Sequence, residues 1–197
     1  MILDRDGTII DFHRDTELGV VTPAFHPRLL RFLPGALDAL QWLHRHGALL
    51  TIASNQPGAA KGEISRDAIE RTTEALVQRL AGEGIPISAV EVCLHHPTGG
   101  DGGDPSLVVD CTCRKPKPGM LIAIADKLGK DPRHAWMVGD TPTDVQAGRA
   151  AGMKTALLSP TRRCELCPMR DLAPPSPAPD IHAPTLLEIA HRIVAPR

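Results

Sequence analysis

Short apolar runs alternate with helix-period segments along most of this chain. That alternation constrains the fold more than any other feature. Met1-Ile2-Leu3, then 48–53 (ALLTIA), 90–94, 135–138 and 154–158 read as short buried strands. Between them, Ala36, Leu37, Leu40 and Leu43 recur at helical spacing, with Gly47 as a stop. Ser65-Arg66-Asp67 opens a second helix that reaches about Leu80. Pro118 or Gly119 opens a third, to Leu128, and Pro142 a fourth, to Ala151. The pattern predicts an α/β fold: an open, doubly wound, mainly parallel sheet covered by helices on both faces. At 197 residues and 42% hydrophobic composition the chain can bury one substantial core. Residues 1–158 are expected to form that core domain. Residues 159–184 carry seven prolines and read as an extended surface segment. A closing amphipathic helix over 185–194 packs, with the rest of 159–197, on the same domain.

Open parallel sheets bind ligands at the carboxyl ends of their strands. The residues expected there carry a consistent chemistry. Asp4 and Asp6 follow the first strand and, two apart on an extended segment, would point to one side. Ser54 and Asn55 follow the second strand. Arg114 and Lys115 supply two cations, and Asp140 follows the strand ending at Gly139, with Asp144 one helical turn on. Four acids beside two cations on one rim is a costly arrangement unless a metal cation and an anionic substrate share it. Oxygen-only ligands suit Mg²⁺. Lys115 and the Ser54 hydroxyl can hold phosphoryl oxygens, one carboxylate can attack phosphorus, and a second can move the proton.

These residues resemble the haloacid dehalogenase-like superfamily. The resemblance rests on four motifs in order: DRDGT at Asp4 to Thr8, the strand ending at Ser54, Lys115, and GDTPTD at Gly139 to Asp144. It implies a Rossmann-like fold and phosphatase activity. It also implies Asp4 as nucleophile, Asp6 as general acid/base, and Ser54 and Lys115 as phosphoryl-binding groups. Asp4, the Asp6 carbonyl and Asp140 would hold Mg²⁺, with Asp144 a more remote or water-mediated partner.

A separate pattern lies between 93 and 113. Cys93 and His95 are followed, after 15 residues, by Cys111 and Cys113. Three thiolates and one imidazole make a complete tetrahedral set for structural Zn²⁺, with His96 an alternative ligand. Such an ion would order a loop containing Gly99, Gly100, Gly102 and Gly103, and would fix Arg114 next to Lys115. CLHHP, CTCRKPKPGM and SNQPGAAKG together are similar to the zinc-bearing histidinol-phosphate and heptose-bisphosphate phosphatases, and the heptose enzymes imply a place in carbohydrate metabolism. SNQPGAAKG looks more like the corresponding loop of the D-glycero-D-manno-heptose 1,7-bisphosphate 7-phosphatases. That likeness implies a small phosphorylated sugar as substrate, with Asn55, Lys61 and Arg114 reading its distal part. Histidinol phosphate is the alternative substrate, and a catalytically silent zinc-stabilised binding module the alternative class. Thr141 stands where the heptose enzymes lead one to expect a cation.

Spacing leaves no room for a large cap domain, so loops must supply specificity. One candidate substrate wall is 11–31, with His13, Arg14, His26 and Arg28; a solvated surface loop is the other reading. Cys164 and Cys167 form a C-x-x-C that reads as free thiols or a labile pair, with half of a second metal site or a redox pair as alternatives. A net charge of -1 gives no bulk attraction to nucleic acid or anionic membrane, and two Trp with no Tyr make a base-stacking surface improbable. With no membrane-length apolar run and no signal-like start, a cytoplasmic monomer is expected.

Overall fold

The computed structural model describes residues 1–159 and 177–195. Six strands form one sheet in the order β5-β4-β1-β6-β7-β8, every neighbouring pair parallel. They are β1 (Ile2–Leu3), β4 (Leu50–Asn55), β5 (Ile87–Cys93), β6 (Trp136–Gly139), β7 (Lys154–Leu158) and β8 (Ile181–Ala183). Five helices connect or close them: α1 (Ala36–Arg45), α2 (Arg66–Gly82), α3 (Gly119–Lys127), α4 (Pro142–Ala150) and α5 (Leu186–Val194).

The period-two geometry of strands decides which face each apolar residue serves. Leu3, Ile52 and Val138 enter one buried cluster with Leu40 and Leu43 of α1, Leu76 and Leu80 of α2, and Ile189 of α5. Their neighbours Ile2, Ala53 and Met137 enter a second cluster with Met120, Leu121 and Ile124 of α3 and Ala147 of α4. The central strand is therefore short but fully embedded: Ile2 and Leu3 are buried on opposite faces, and β1 pairs with both β4 and β6.

Two expectations are corrected. The 11–31 segment is not a loop throughout, because His13–Asp15 (β2) and Val20–Thr22 (β3) form an antiparallel hairpin outside the main sheet. The β-branched pair Val20-Val21 supplies the strand character that the surrounding polar residues mask. Nor is β7 the last strand: β8, within the proline-rich stretch, pairs with it as an edge strand. An edge position needs only one row of backbone donors, and 181–183 contain no proline. Asp180 secures that edge by accepting from the Thr155 N–H at 2.7 Å and pairing with Arg149 at 3.1 Å. Cys164 and Cys167 lie outside the described residues. Among the described residues no helix is long and apolar enough to cross a membrane.

Candidate active site

Strands β1, β4 and β6 end side by side, and their carboxyl ends carry Asp4, Ser54-Asn55 and Asp140. Asp4 is anchored by its own N–H, which donates to Val138 O at 2.9 Å. Lys115 reaches into this rim from the loop before α3. Its Nζ lies 2.8 Å from Asp4 Oδ1, 2.6 Å from Asp144 Oδ1, and donates to Ala53 O at 2.8 Å. Its side chain is only 2% exposed. Burial works to lower the Lys115 pKa, but the Asp4 and Asp144 carboxylates reverse that and raise it above the ordinary lysine value. Asn55 fixes the backbone beneath: its Nδ2 donates to Lys115 O at 2.9 Å and its Oδ1 accepts from Lys115 N at 3.0 Å. The side chain of Asn55 is thus committed to joining two loops.

Asp4, Asp140 and Asp144 each bring a carboxylate oxygen within 4.8 Å of the others. Asp4 and Asp144 share the Lys115 ammonium in this buried place. Burial first, and then the fields of Asp144 and Asp140, raise Asp4 from 3.8 to about 7 despite the opposing effect of Lys115. A hard cation with oxygen ligands fits this donor set. Two glycines permit the crowding. Gly7 has φ +77°, and a Cβ there would lie 2.4 Å from Asp140 Oδ2; a Cβ at Gly139 would lie 2.2 Å from Asp144 Cγ. Asp144 also accepts from the Thr141 N–H at 3.0 Å and completes a capping box with Thr141 at the start of α4.

Asp6 does not join the three-carboxylate group. The regular strand ends at Leu3, so the two-residue repeat expected to align Asp4 with Asp6 no longer holds. The Asp6 carboxylate instead accepts from Arg5 Nε at 2.9 Å, from Gln56 Nε2 at 2.7 Å and from the Ala24 N–H at 3.4 Å. Arg5 is itself 1% exposed and also reaches Thr73 of α2. Neither Arg5 nor Gln56 was singled out from the sequence. The signal available was a charged residue between two motif acids, and an amide directly after the Ser54-Asn55 pair.

Beside this rim, Cys93, His95, Cys111 and Cys113 also bring their ligand atoms within 4.8 Å of one another. Sulfur separations are 3.0, 3.2 and 3.6 Å, and His95 Nδ1 lies 3.2 Å from Cys113 Sγ. Tetrahedral zinc with bonds of about 2.3 Å would set the sulfurs about 3.8 Å apart, a small expansion of this cluster. Burial raises the Cys93 and Cys113 thiols. Cys111 is also opposed by burial, but hydrogen bonds from Cys113 and the Arg114 N–H lower it to about 6. The alternative ligand His96 is turned elsewhere, its Nδ1 accepting from the Gly99 N–H at 3.1 Å. Burial, then the positive fields of Arg114 and Lys61, lower the pKa of His96. Arg114 Nη1 donates to His95 O at 3.4 Å, and Lys61 Nζ lies 3.7 Å from Glu63 Oε1, both beside the zinc-type loop. The glycines join that loop to the Lys61 segment: Gly100 and Gly103 would place a Cβ 2.5 Å from Lys61 O and 2.0 Å from Ala60 O.

The HAD-hydrolase-like family model matches residues 112–189. The D-glycero-beta-D-manno-heptose-1,7-bisphosphate 7-phosphatase of Pasteurella multocida (strain Pm70) is 38% identical over 82% of this chain and 81% of its own length. This chain belongs to the haloacid dehalogenase-like phosphatases. The phosphatase is also 34% identical to the Escherichia coli (strain K12) protein of the same description, over 80% of this chain and 77% of the relative. A crystal structure of D,D-heptose 1,7-bisphosphate phosphatase from B. bronchiseptica, complexed with magnesium and phosphate, superposes with a TM-score of 0.74 and 26% identity. That match covers 98% of this phosphatase and 97% of the other chain.

Proposed function

We propose that this phosphatase removes the 7-phosphate of D-glycero-β-D-manno-heptose 1,7-bisphosphate through a phospho-aspartate on Asp4. The observation that carries the reading is the contact of Lys115 with both Asp4 and Asp144, beside Asp140, on one buried rim. The relatives' names and the position of Lys61 and Arg114 support the choice of substrate.

In the first step an Asp4 oxygen bonds to phosphorus, and the bond from phosphorus to the sugar oxygen breaks. Asp6 gives that oxygen a proton. In the second step Asp6 takes a proton from water as the water oxygen bonds to phosphorus. The phosphorus–Asp4 bond breaks and inorganic phosphate leaves. Lys115 and the Ser54 hydroxyl bind the non-bridging oxygens in both steps. Asp4, Asp140 and the Asp6 carbonyl would hold Mg²⁺, with Asp144 behind them as partner to Lys115. Bound magnesium would supply neutralisation of the phosphoryl charge.

Zinc on Cys93, His95, Cys111 and Cys113 would tie the 93–113 loop to the rim and so place Arg114. Lys61 and Arg114 would receive the distal phosphate, with Asn55 acting through the Lys115 backbone. Reduced thiolates of this kind suit the cytoplasm, and we take the working unit to be the monomer.

Phosphate release should be measured, with Mg²⁺ present, from a panel containing the β-heptose 1,7-bisphosphate, its α anomer and histidinol phosphate. The β-heptose compound is expected to give the highest kcat/KM; preference for histidinol phosphate overturns the substrate assignment. Asp4→Asn should abolish turnover, and undiminished release from that variant removes Asp4 as nucleophile. Metal analysis should find about one zinc per chain, lost in Cys113→Ser.

A further inference from the structure

We infer that Gln56 is a positioning residue that couples the proton-transferring Asp6 to the phosphoryl-binding Ser54; the inference rests on the roles proposed above for those two. Gln56 follows β4 directly and is 2% exposed. Its backbone N–H donates to Cys93 O at 2.8 Å, which holds it to the end of β5. Its Nε2 has two hydrogens and two short contacts: Asp6 Oδ2 at 2.7 Å and Ser54 Oγ at 2.9 Å. One amide thus bridges groups that serve opposite ends of the breaking bond.

The chemistry fixes the orientation of that amide. In the ionised form that precedes its uptake of the water proton, Asp6 can only accept, so the amide atom facing it is then the nitrogen. Ser54 Oγ then accepts the second Nε2 hydrogen. Its own proton is left to point elsewhere, free for donation to a phosphoryl oxygen. Gln56 in this way sets the polarity of the Ser54 hydroxyl as well as the position of Asp6. The other donors to Asp6, Arg5 and the Ala24 N–H, have no contact with Ser54 among the bonds found for them. Gln56 is therefore the link between the two halves of the reaction, and it acts through its neighbours.

The consequence is a dependence on leaving group. Release of a sugar alkoxide needs the Asp6 proton, whereas p-nitrophenolate leaves without one. A defect transmitted through Asp6 must be larger for the sugar phosphate. A defect transmitted through Ser54 affects both substrates equally.

The test is kcat/KM of the Mg²⁺-loaded full chain on the heptose bisphosphate and on p-nitrophenyl phosphate. Five proteins are compared: wild type, Asp6→Asn, Gln56→Met, Gln56→Glu and the Asp6→Asn/Gln56→Met double variant. Gln56→Met should lose about 10- to 100-fold on the sugar substrate, roughly tenfold more than on the aryl substrate. In the Asp6→Asn background the same change should cost only the smaller loss common to both substrates, so the two substitutions are non-additive. Gln56→Glu keeps the side-chain volume and replaces the donor by an acceptor. It must show the same substrate split, and it decides the matter if Gln56→Met does not fold. Equal losses on the two substrates, or additive effects, overturn the role of Gln56 while leaving Asp6 in place. If Asp6→Asn itself shows no substrate split, the proposed role of Asp6 falls, and the coupling with it.

Discussion

Lys115 Nζ stands 2.8 Å from Asp4 Oδ1 and 2.6 Å from Asp144 Oδ1, so one buried ammonium holds together acids from the first and fourth motifs. The Asp144 side chain is 1% exposed and that of Asp4 13%, and Lys115 is paired with both. Removing it leaves two buried charges uncompensated, which is more costly than the pairs are worth in themselves. Lys115→Met should therefore lower unfolding free energy by about 3 kcal/mol in magnesium-free buffer. Addition of Mg²⁺ should restore part of that loss, because a divalent cation can take over the neutralising role. Urea denaturation with and without the metal checks both; unchanged stability would show that the pairing contributes nothing. Turnover should fall by about 100-fold or more in the same variant.

The raised pKa of Asp4 has a definite sign in stability. In the unfolded chain Asp4 ionises near 3.8, and in the folded, metal-free protein near 7. Folding therefore favours the protonated form. The stability contributed by that form is complete below pH 3.8 and is lost as pH rises through about 7. Asp4→Asn cannot ionise and escapes the loss. Relative to wild type in magnesium-free buffer, its Tm should be higher by a few degrees at pH 8, with the advantage shrinking towards pH 5. Calorimetry at the two pH values reads this directly; a constant difference refutes it.

Gly7 is required twice, for its φ of +77° and for the space taken by the Asp140 carboxylate. Gly7→Ala imposes backbone strain of about 1 kcal/mol or more and drives its Cβ into a proposed metal ligand. Stability should drop modestly, whereas the Mg²⁺ concentration needed for half-maximal activity should rise about tenfold or more. Metal titration of the variant checks this. Unaltered magnesium dependence would mean that Asp140 can move without consequence.

Arg114 directly follows the Cys/His cluster, and the loop before it packs through Gly100 on the Lys61 backbone. If a distal phosphate sits there, Arg114→Ala should raise KM for a bisphosphate about tenfold or more, with little effect on a matching monophosphate that lacks the distal group. Steady-state kinetics on the substrate pair measures it. Equal KM changes would remove the distal contact.

Much of the rim was legible in the chain itself. A residue placed directly after a short apolar run must appear at a strand's carboxyl end, and this alone assigns Asp4, Ser54 and Asp140 to the rim. The soft-ligand pattern of Cys93, His95, Cys111 and Cys113 was equally local in its logic, since thiolates and imidazole brought together have few other uses. Helices were placed well for the same reason: their period is written in consecutive residues.

Tertiary structure alone decided the pairings between segments. That Asp6 turns to Arg5 and Gln56 follows from β1 stopping at Leu3, and the stop depends on neighbours in β4 and β6. That Asn55 grips the backbone of Lys115, and that Gly7 makes room for Asp140, are contacts across long stretches of chain. The edge strand β8 needs β7 beside it and Asp180 at its start. Local sequence carries torsional preference and hydrophobic period, which act over a few residues. Hydrogen-bond partners and electrostatic neighbours are chosen only when packing brings distant segments within a few ångströms.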